Sequence, residues 1–319
     1  MEPLRAQETM LIDYIIHGFV KGGSVQKGSR PGFAHALKLS YPLFEKSRLT
    51  VLPDKNTMTY RYPLASHQAT TVGLLTALMD ELTTVARFAV GQPSPPGVSL
   101  QMQTELVEST SSLSSLSSLD QVDVVNIVTK LGRTVSTTRT EFRHPQTQEL
   151  LAFSSHIKYM PTGSWFLDWI LSNKYLYGIY QHFMVMPVQV PMYETKALHT
   201  EVIGASLEPS SVGHAKFQVT AEHTNPFGGL HGGCHAMVME RVATTFAQAQ
   251  LGGGETKNIV LQAMQIDYLR AAKRGSTVEV TCERICGGPT TTKNTLQVRV
   301  FLRLGGKICS EGKLRFVAV

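Results

Sequence analysis

The 319-residue sequence contains only four cysteines, Cys234, Cys282, Cys286 and Cys309, all in its second half. They lack the dense, even spacing of a disulfide scaffold, so buried thiols in a reducing compartment are expected. No apolar run reaches the ~18 residues of a membrane span. Met1-Glu2-Pro3 is not followed by the apolar core and small-residue cleavage site of a secretory signal, and Val317-Ala318-Val319 is no peroxisomal tripeptide. The cytoplasm is the expected location, with the mitochondrion left open. Charge is sparse, at 17% of residues, and although the net charge is +6 no five basic residues stand together. Without a basic ribbon interleaved with aromatics, or finger-like Cys/His spacing, nucleic acid is excluded as an expected partner. His231, Cys234 and His235 could share one helix face, but further ligands have no source in the sequence, so no metal is expected.

What the chain does have is apolar content, 42% of residues, enough for two domains of about 150 residues each. Residues 6–20 read as an amphipathic helix, a Gly/Ser-rich break covers 22–29, and a second apolar stretch runs from 33 to 44. Together they suggest an N-terminal helical extension over 1–49. Residues 57–62 alternate as a strand. From Thr70 to Val90, apolar residues at spacings of three and four predict a long helix, which Pro93, Pro95, Pro96 and Gly97 end. A strand is predicted over Val98–Val107, then a low-complexity surface loop over Ser109–Ser118. Three further strands follow, over 122–131, 134–142 and 149–159. An apolar connector with Trp165 and Trp169 occupies 161–199, which the prolines at 187 and 191 break up.

The order then repeats. A strand over 214–220, a helix over 232–250 and four strands over 258–268, 277–285, 292–304 and 307–317 predict a second unit spanning 200–319, matching a first over 50–160. Aligning Met79-Asp80-Glu81 with Met239-Glu240-Arg241 sets the offset at 160 residues (240 − 80), so each central helix carries a carboxylate at the same place. A buried helix face rarely holds an acid, and a matched pair is more informative than either alone.

The richest stretch in side chains suited to chemistry is Asn225 to Glu240, where a glycine-rich turn with His231, Gly232 and Gly233 runs into the second helix. A helix N-terminus presents unsatisfied N–H groups and the positive end of the macrodipole, and glycines let a carbonyl approach them. Such a site suits acyl chemistry.

A strand, a long helix preceded by N-x-x-G-x-x-H-G-G, an acid nine residues after the histidine and an antiparallel meander resemble the hotdog-fold acyl-CoA thioesterases of the PaaI-like group. The resemblance implies an α+β chain of two tandem hotdog domains, each a curved antiparallel sheet wrapped around a central helix. It also implies that active sites form where two hotdogs pair. In the second repeat Asn225 matches the residue that orients substrate or water, and Gly232 the one whose N–H polarises the thioester carbonyl, with His231 and Gly233 beside them. The first repeat reads Thr71-Val72-Gly73 where His-Gly-Gly would stand and has Ala65 near the asparagine position. It does match the family's acid and hydroxyl, at Asp80 and Ser99, with Thr84 one turn after the acid. The second repeat keeps Glu240 and Thr244 but has Val260-Leu261 in place of Val98-Ser99.

These losses are complementary. By the resemblance, Asn225 and Gly232 of one repeat face Asp80 and Ser99 of the other in a single composite site, while Glu240, Thr244 and Gly73 form a second, degenerate one. Asp80 would attack directly or deprotonate a water held by Ser99. The expected substrate is an acyl-CoA or other acyl thioester, with no resident cofactor, since coenzyme A enters only as part of the substrate. Arg270, Lys273 and Arg274 are candidates for its phosphates, and a homo-oligomer of double-hotdog chains is expected. Two rivals stay open: a non-catalytic acyl-CoA binding or scaffold protein, and an enoyl-CoA hydratase, which uses a neighbouring Asp/His pair. The hydratase is less favoured because Gly232-Gly233, not an acid, follow His231.

Overall fold

The computed structural model describes residues 33, 49–52, 55–64, 70–90, 97–107, 116, 118–132, 134–160, 199–225, 227–251, 258–285 and 294–318. The predicted N-terminal helix, the connector over 161–198, the Ala65 position and Cys286 lie outside these residues. The first half contains β1 (Leu49–Leu52), β2 (Thr57–Pro63), α1 (Val72–Val90), β3 (Val98–Leu106), β4 (Gln121–Leu131), β5 (Val135–Arg143) and β6 (Leu150–Tyr159). The second contains α2 (His199–Gly204), β7 (Leu207–Ser211), β8 (His214–Gln218), α3 (Gly232–Leu251), β9 (Ile259–Tyr268), β10 (Thr277–Arg284), β11 (Thr295–Leu304) and β12 (Lys307–Ala318).

All twelve strands form one sheet in the order β1-β2-β4-β5-β6-β3-β9-β12-β11-β10-β8-β7. Read outward from the centre, the two halves have the same strand order, and they join where β3 pairs antiparallel with β9, Thr104 opposite Met264. The strands follow the predicted ones closely because burial alternates along much of their length: in β10 Val278, Val280 and Cys282 enter the core, and in β12 Gly312, Leu314 and Phe316 do. The short strands β1 and β7 and the single-turn-and-a-half α2 carry too little periodicity to be read from sequence.

The helices lie on the inner side of the sheet. Thr71 caps α1, its Oγ1 accepting the Leu74 N–H at 3.2 Å, and His231 caps α3 at the matching place, its Nδ1 accepting the Gly233 N–H at 3.1 Å. Every residue of α1 from Val72 to Arg87 is buried, so its acids are enclosed and not solvated. It crosses α3 where small residues meet: a Cβ on Gly233 would stand 2.7 Å from Ala77, and one on Gly73 3.3 Å from the Met237 Cα.

One expectation is corrected. Residues 109–118 were expected to form an exposed loop, yet Leu116 and Ser118 are helical and Leu116 is fully buried. Leucines three apart among the serines, at 113, 116 and 119, give the segment an apolar stripe, and Leu119 also packs against the core.

Candidate active site at the junction of the two helices

Asp80, on α1, is buried against the start of α3. Its Oδ2 accepts the Gly233 N–H at 3.0 Å and lies 3.3 Å from His231 Nδ1. Its Oδ1 accepts from Ser99 Oγ at 3.2 Å and lies 3.3 Å from Lys158 Nζ. Residues of the first half (Asp80, Ser99) and of the second (His231, Gly232, Gly233) therefore meet in one cluster. Thr84 joins it through a short hydrogen bond from Lys158.

The glycines have a more specific reason than access for a substrate. A Cβ on Gly232 would stand 2.5 Å from Asp80 Oδ2 and 3.2 Å from Ser99 Oγ, and Gly233 is needed where the helices touch. The Gly232 N–H has no acceptor among the described residues, and Gly232 is only half-buried. Its carbonyl is held from the other side by the Tyr268 hydroxyl at 2.8 Å. Asn225 sits in the preceding turn, where its Oδ1 accepts the N–H groups of Phe227 at 3.0 Å and Gly229 at 3.1 Å. That bonding fixes the loop and leaves Nδ2 as the polar group it can present outward. No contact joins it to Asp80 among those of the described residues.

Two polar residues of this cluster escaped the sequence reading. His156 and Lys158, on β6, point inward with Ser154, and His156 Nε2 lies 3.0 Å from Ser99 Oγ and 3.6 Å from Asp80 Oδ1. The available signal was His and Lys two apart on the same face as Ala152. Burial by itself would raise the Asp80 carboxyl, but the Lys158 ammonium beside it, foremost among its neighbours, outweighs burial and holds the group well below the usual carboxylate range. Burial, reinforced by Lys158, keeps His156 neutral.

The pseudo-equivalent acid has different surroundings. Glu240 Oε2 accepts the Gly73 N–H at 2.9 Å, repeating the Asp80–Gly233 bond. Strand β12 pairs with β9 as β6 pairs with β3, and this register puts Leu314, Phe316 and Leu261 where His156, Lys158 and Ser99 stand in the first half. No cation of the described residues acts there, and burial pushes the Glu240 carboxyl up to about 7, against hydrogen bonds from Thr71, Gly73 and Val72. Thr244, one turn on, is half-buried.

His235 and Cys234 are likewise enclosed. His235 Nδ1 bonds Ser310 Oγ at 2.7 Å, and Cys234 is a fully buried thiol, as Cys309 is. Among the described residues no three His, Cys, Asp or Glu side chains are grouped to hold a metal. No described helix is long and apolar enough to cross a membrane. The basic turn with Arg270, Lys273 and Arg274 is exposed and bonded to the glycine loop: Gly228 O accepts from Arg274 N at 3.0 Å and Ala272 O from Leu230 N at 2.7 Å.

Residues 227–299 match the family model described as the thioesterase superfamily. No curated protein matches the sequence. Among solved structures, the chain is similar to a 12:0-ACP thioesterase from Umbellularia californica, with TM-score 0.54 and 12% identity over 83% of this chain and 95% of that one. It is also similar to a putative oleoyl thioesterase from Lactobacillus plantarum, with TM-score 0.53 and 11% identity over 85% and 98% of the two chains. A tesB protein from Mycobacterium avium subsp. paratuberculosis gives TM-score 0.52 and 11% identity over 86% and 98%. Identities this low speak to architecture alone. The chain has the α+β hotdog fold, built twice in one sheet, and the match to the thioesterase-superfamily model lies in its second half.

Proposed function

We propose that the protein hydrolyses an acyl thioester, acyl-CoA being the expected form, at the cluster where Asp80 and Ser99 adjoin Gly232. The observation that carries this reading is an N–H at the first position of α3, on the half-buried Gly232, that has no acceptor among the described residues and stands beside a buried ionised carboxylate contributed by the other half. The thioester carbonyl oxygen would take the Gly232 N–H, aided by the helix dipole, an arrangement worth about 3–4 kcal/mol in comparable oxyanion sites. The Gly233 N–H holds Oδ2 and the Lys158 ammonium lies 3.3 Å from Oδ1, so the carboxylate is fixed in place, which favours a general base over a direct nucleophile. Water would give a proton to Asp80 as its oxygen bonds the carbonyl carbon. The C–S bond then breaks, and the proton passes from Asp80 to the departing thiolate. The thioesterase-superfamily match over 227–299 supports the reaction class.

A hydratase reading gains one observation. The acid that does not follow His231 in sequence is supplied in space, since Asp80 Oδ2 lies 3.3 Å from its Nδ1 and Glu81 Oε2 3.8 Å from its Nε2. The Gly233 N–H lies between the two acceptors Asp80 Oδ2 and His231 Nδ1 and bonds both, which makes the pair a rigid anchor for the turn. Thiol release from a panel of acyl-CoAs, run beside hydration of an enoyl-CoA, separates the readings. Thiol release that collapses in Asp80→Asn and persists in Glu240→Gln supports hydrolysis at the proposed site. Hydration without thiol release supports the rival, and equal thiol release in both variants overturns the composite site. An acyl-CoA that binds without turnover would support the non-catalytic role.

A further inference from the structure

The inward face of β6 is costly to build: a buried ammonium and a buried imidazole replace what is ordinarily apolar packing. The second half shows that the fold does not require them, because the same sheet positions on β12 are filled by Leu314 and Phe316, both fully packed. Their hydrogen bonding is directional. Thr83 Oγ1 donates to the Met79 carbonyl at 2.7 Å, so toward His156 Nδ1, also at 2.7 Å, it accepts. The His156 proton therefore sits on Nδ1, and Nε2 is a bare acceptor 3.0 Å from Ser99 Oγ. Ser99 has one proton and two acceptors within reach, Nε2 and Asp80 Oδ1.

We propose that Lys158 and His156 are positioning residues for the reaction proposed above: Lys158 holds the Asp80 carboxylate charged and oriented through Oδ1, and His156 takes the Ser99 hydroxyl as a hydrogen-bond donor, leaving Oδ1 able to receive the proton of an attacking water. Other groups facing Asp80 set the background. His231 adjoins it from the turn before α3, with Glu81 behind that imidazole. Arg87 acts from further along α1 on Lys158 and His156, and His235 and Tyr268 lie on α3 and β9. Of these, Lys158 is the ammonium within 3.3 Å of the carboxylate, and removing it takes away the foremost of the neighbours that offset the burial of Asp80.

The test is the pH profile of kcat/KM for thiol release by the full chain, with Lys158→Met, Lys158→Arg and His156→Leu, the last copying what the second half tolerates. The wild type should be flat on the acid side. Lys158→Met should acquire an acid limb between about pH 5 and 8, as a buried carboxylate without its cation does, and Lys158→Arg should move it back. His156→Leu should lower kcat at least tenfold with KM and the limb unchanged. A Lys158→Met profile lowered by one factor at every pH, or unaltered, overturns the assignment, as does a His156→Leu enzyme with normal kcat. Asp80→Asn, run in parallel, tells the two failures apart: activity in that variant sinks the hydrolytic site itself. The carboxyl carbon NMR signal of Asp80, identified by its loss in Asp80→Asn, gives a readout without turnover. It should titrate at clearly higher pH in Lys158→Met, or in Lys158→Gln should the methionine variant not fold. An unmoved titration overturns the proposal.

Discussion

Asp80 Oδ2 accepts the backbone N–H of Gly233 at 3.0 Å across 153 residues of chain, and Glu240 Oε2 accepts that of Gly73 at 2.9 Å across 167. Each helix thus sends a carboxylate to the N-terminal turn of the other, where the dipole and unsatisfied N–H groups favour negative charge. The two bonds are alike in geometry and opposite in electrostatics, since only one of them lies beside an ammonium.

Gly232→Ala is expected to damage the site without damaging the fold. Its Cβ would stand 2.5 Å from Asp80 Oδ2, so the carboxylate must move from its place. Thiol release should fall by about 10²-fold or more, the scale of losing an oxyanion-type contact, while the thermal midpoint changes little. Steady-state kinetics with a melting curve checks both halves of the expectation.

Gly233→Ala should do the reverse in order of magnitude. Its Cβ would meet the Ala77 Cα and Cβ at 2.7 Å, backbone and not the flexible end of a side chain, so α1 and α3 must separate. Overpacking of this kind costs roughly 1–3 kcal/mol, which urea unfolding would register as a lower midpoint.

Glu240 makes stability depend on pH in a direction opposite to that of an ion-paired acid. Its folded-state value, about 7, is above the reference of 4.5, so between those limits the native chain binds a proton that the unfolded chain has released. Stability from this group is complete below about pH 4.5 and is lost as pH rises toward about 7. Glu240→Gln should remove that slope and be more stable than wild type at pH 8, by about 1–2 kcal/mol. Chemical denaturation at pH 5 and pH 8 gives the comparison, and a variant equally or less stable at pH 8 would contradict it.

Tyr268→Phe deletes the hydroxyl that donates to the Gly232 carbonyl at 2.8 Å. The expected loss is about 1 kcal/mol of stability, together with a looser first turn of α3. Amide exchange at Gly232 and Gly233 should quicken in the variant; unaltered exchange would mean that His231 and Asp80 hold the turn without the hydroxyl.

The repeated order of elements along the two halves and the turn of Asn225 to Gly233 before the second helix were legible in the sequence because they are local. They rest on periodicity, turn glycines and an offset that puts Asp80 and Glu240 in register. The sequence also singled out Asp80, Ser99, Gly232 and Gly233. It could not show that Gly233 is small because Ala77 passes beside it, nor that the Asn225 amide is turned back on its own loop. Those depend on contacts between elements far apart in the chain. The same holds for His156 and Lys158: on an isolated strand they are two alternating polar residues, and the pairing of β6 with β3 brings them against α1 and into Asp80. The sequence by itself determined that each helix would carry an acid. Only the tertiary structure decided which acid is held ionised and which is pushed up toward neutrality, because the ionisation of an enclosed carboxylate is set by its burial and the cations packed around it, and chain order does not specify these.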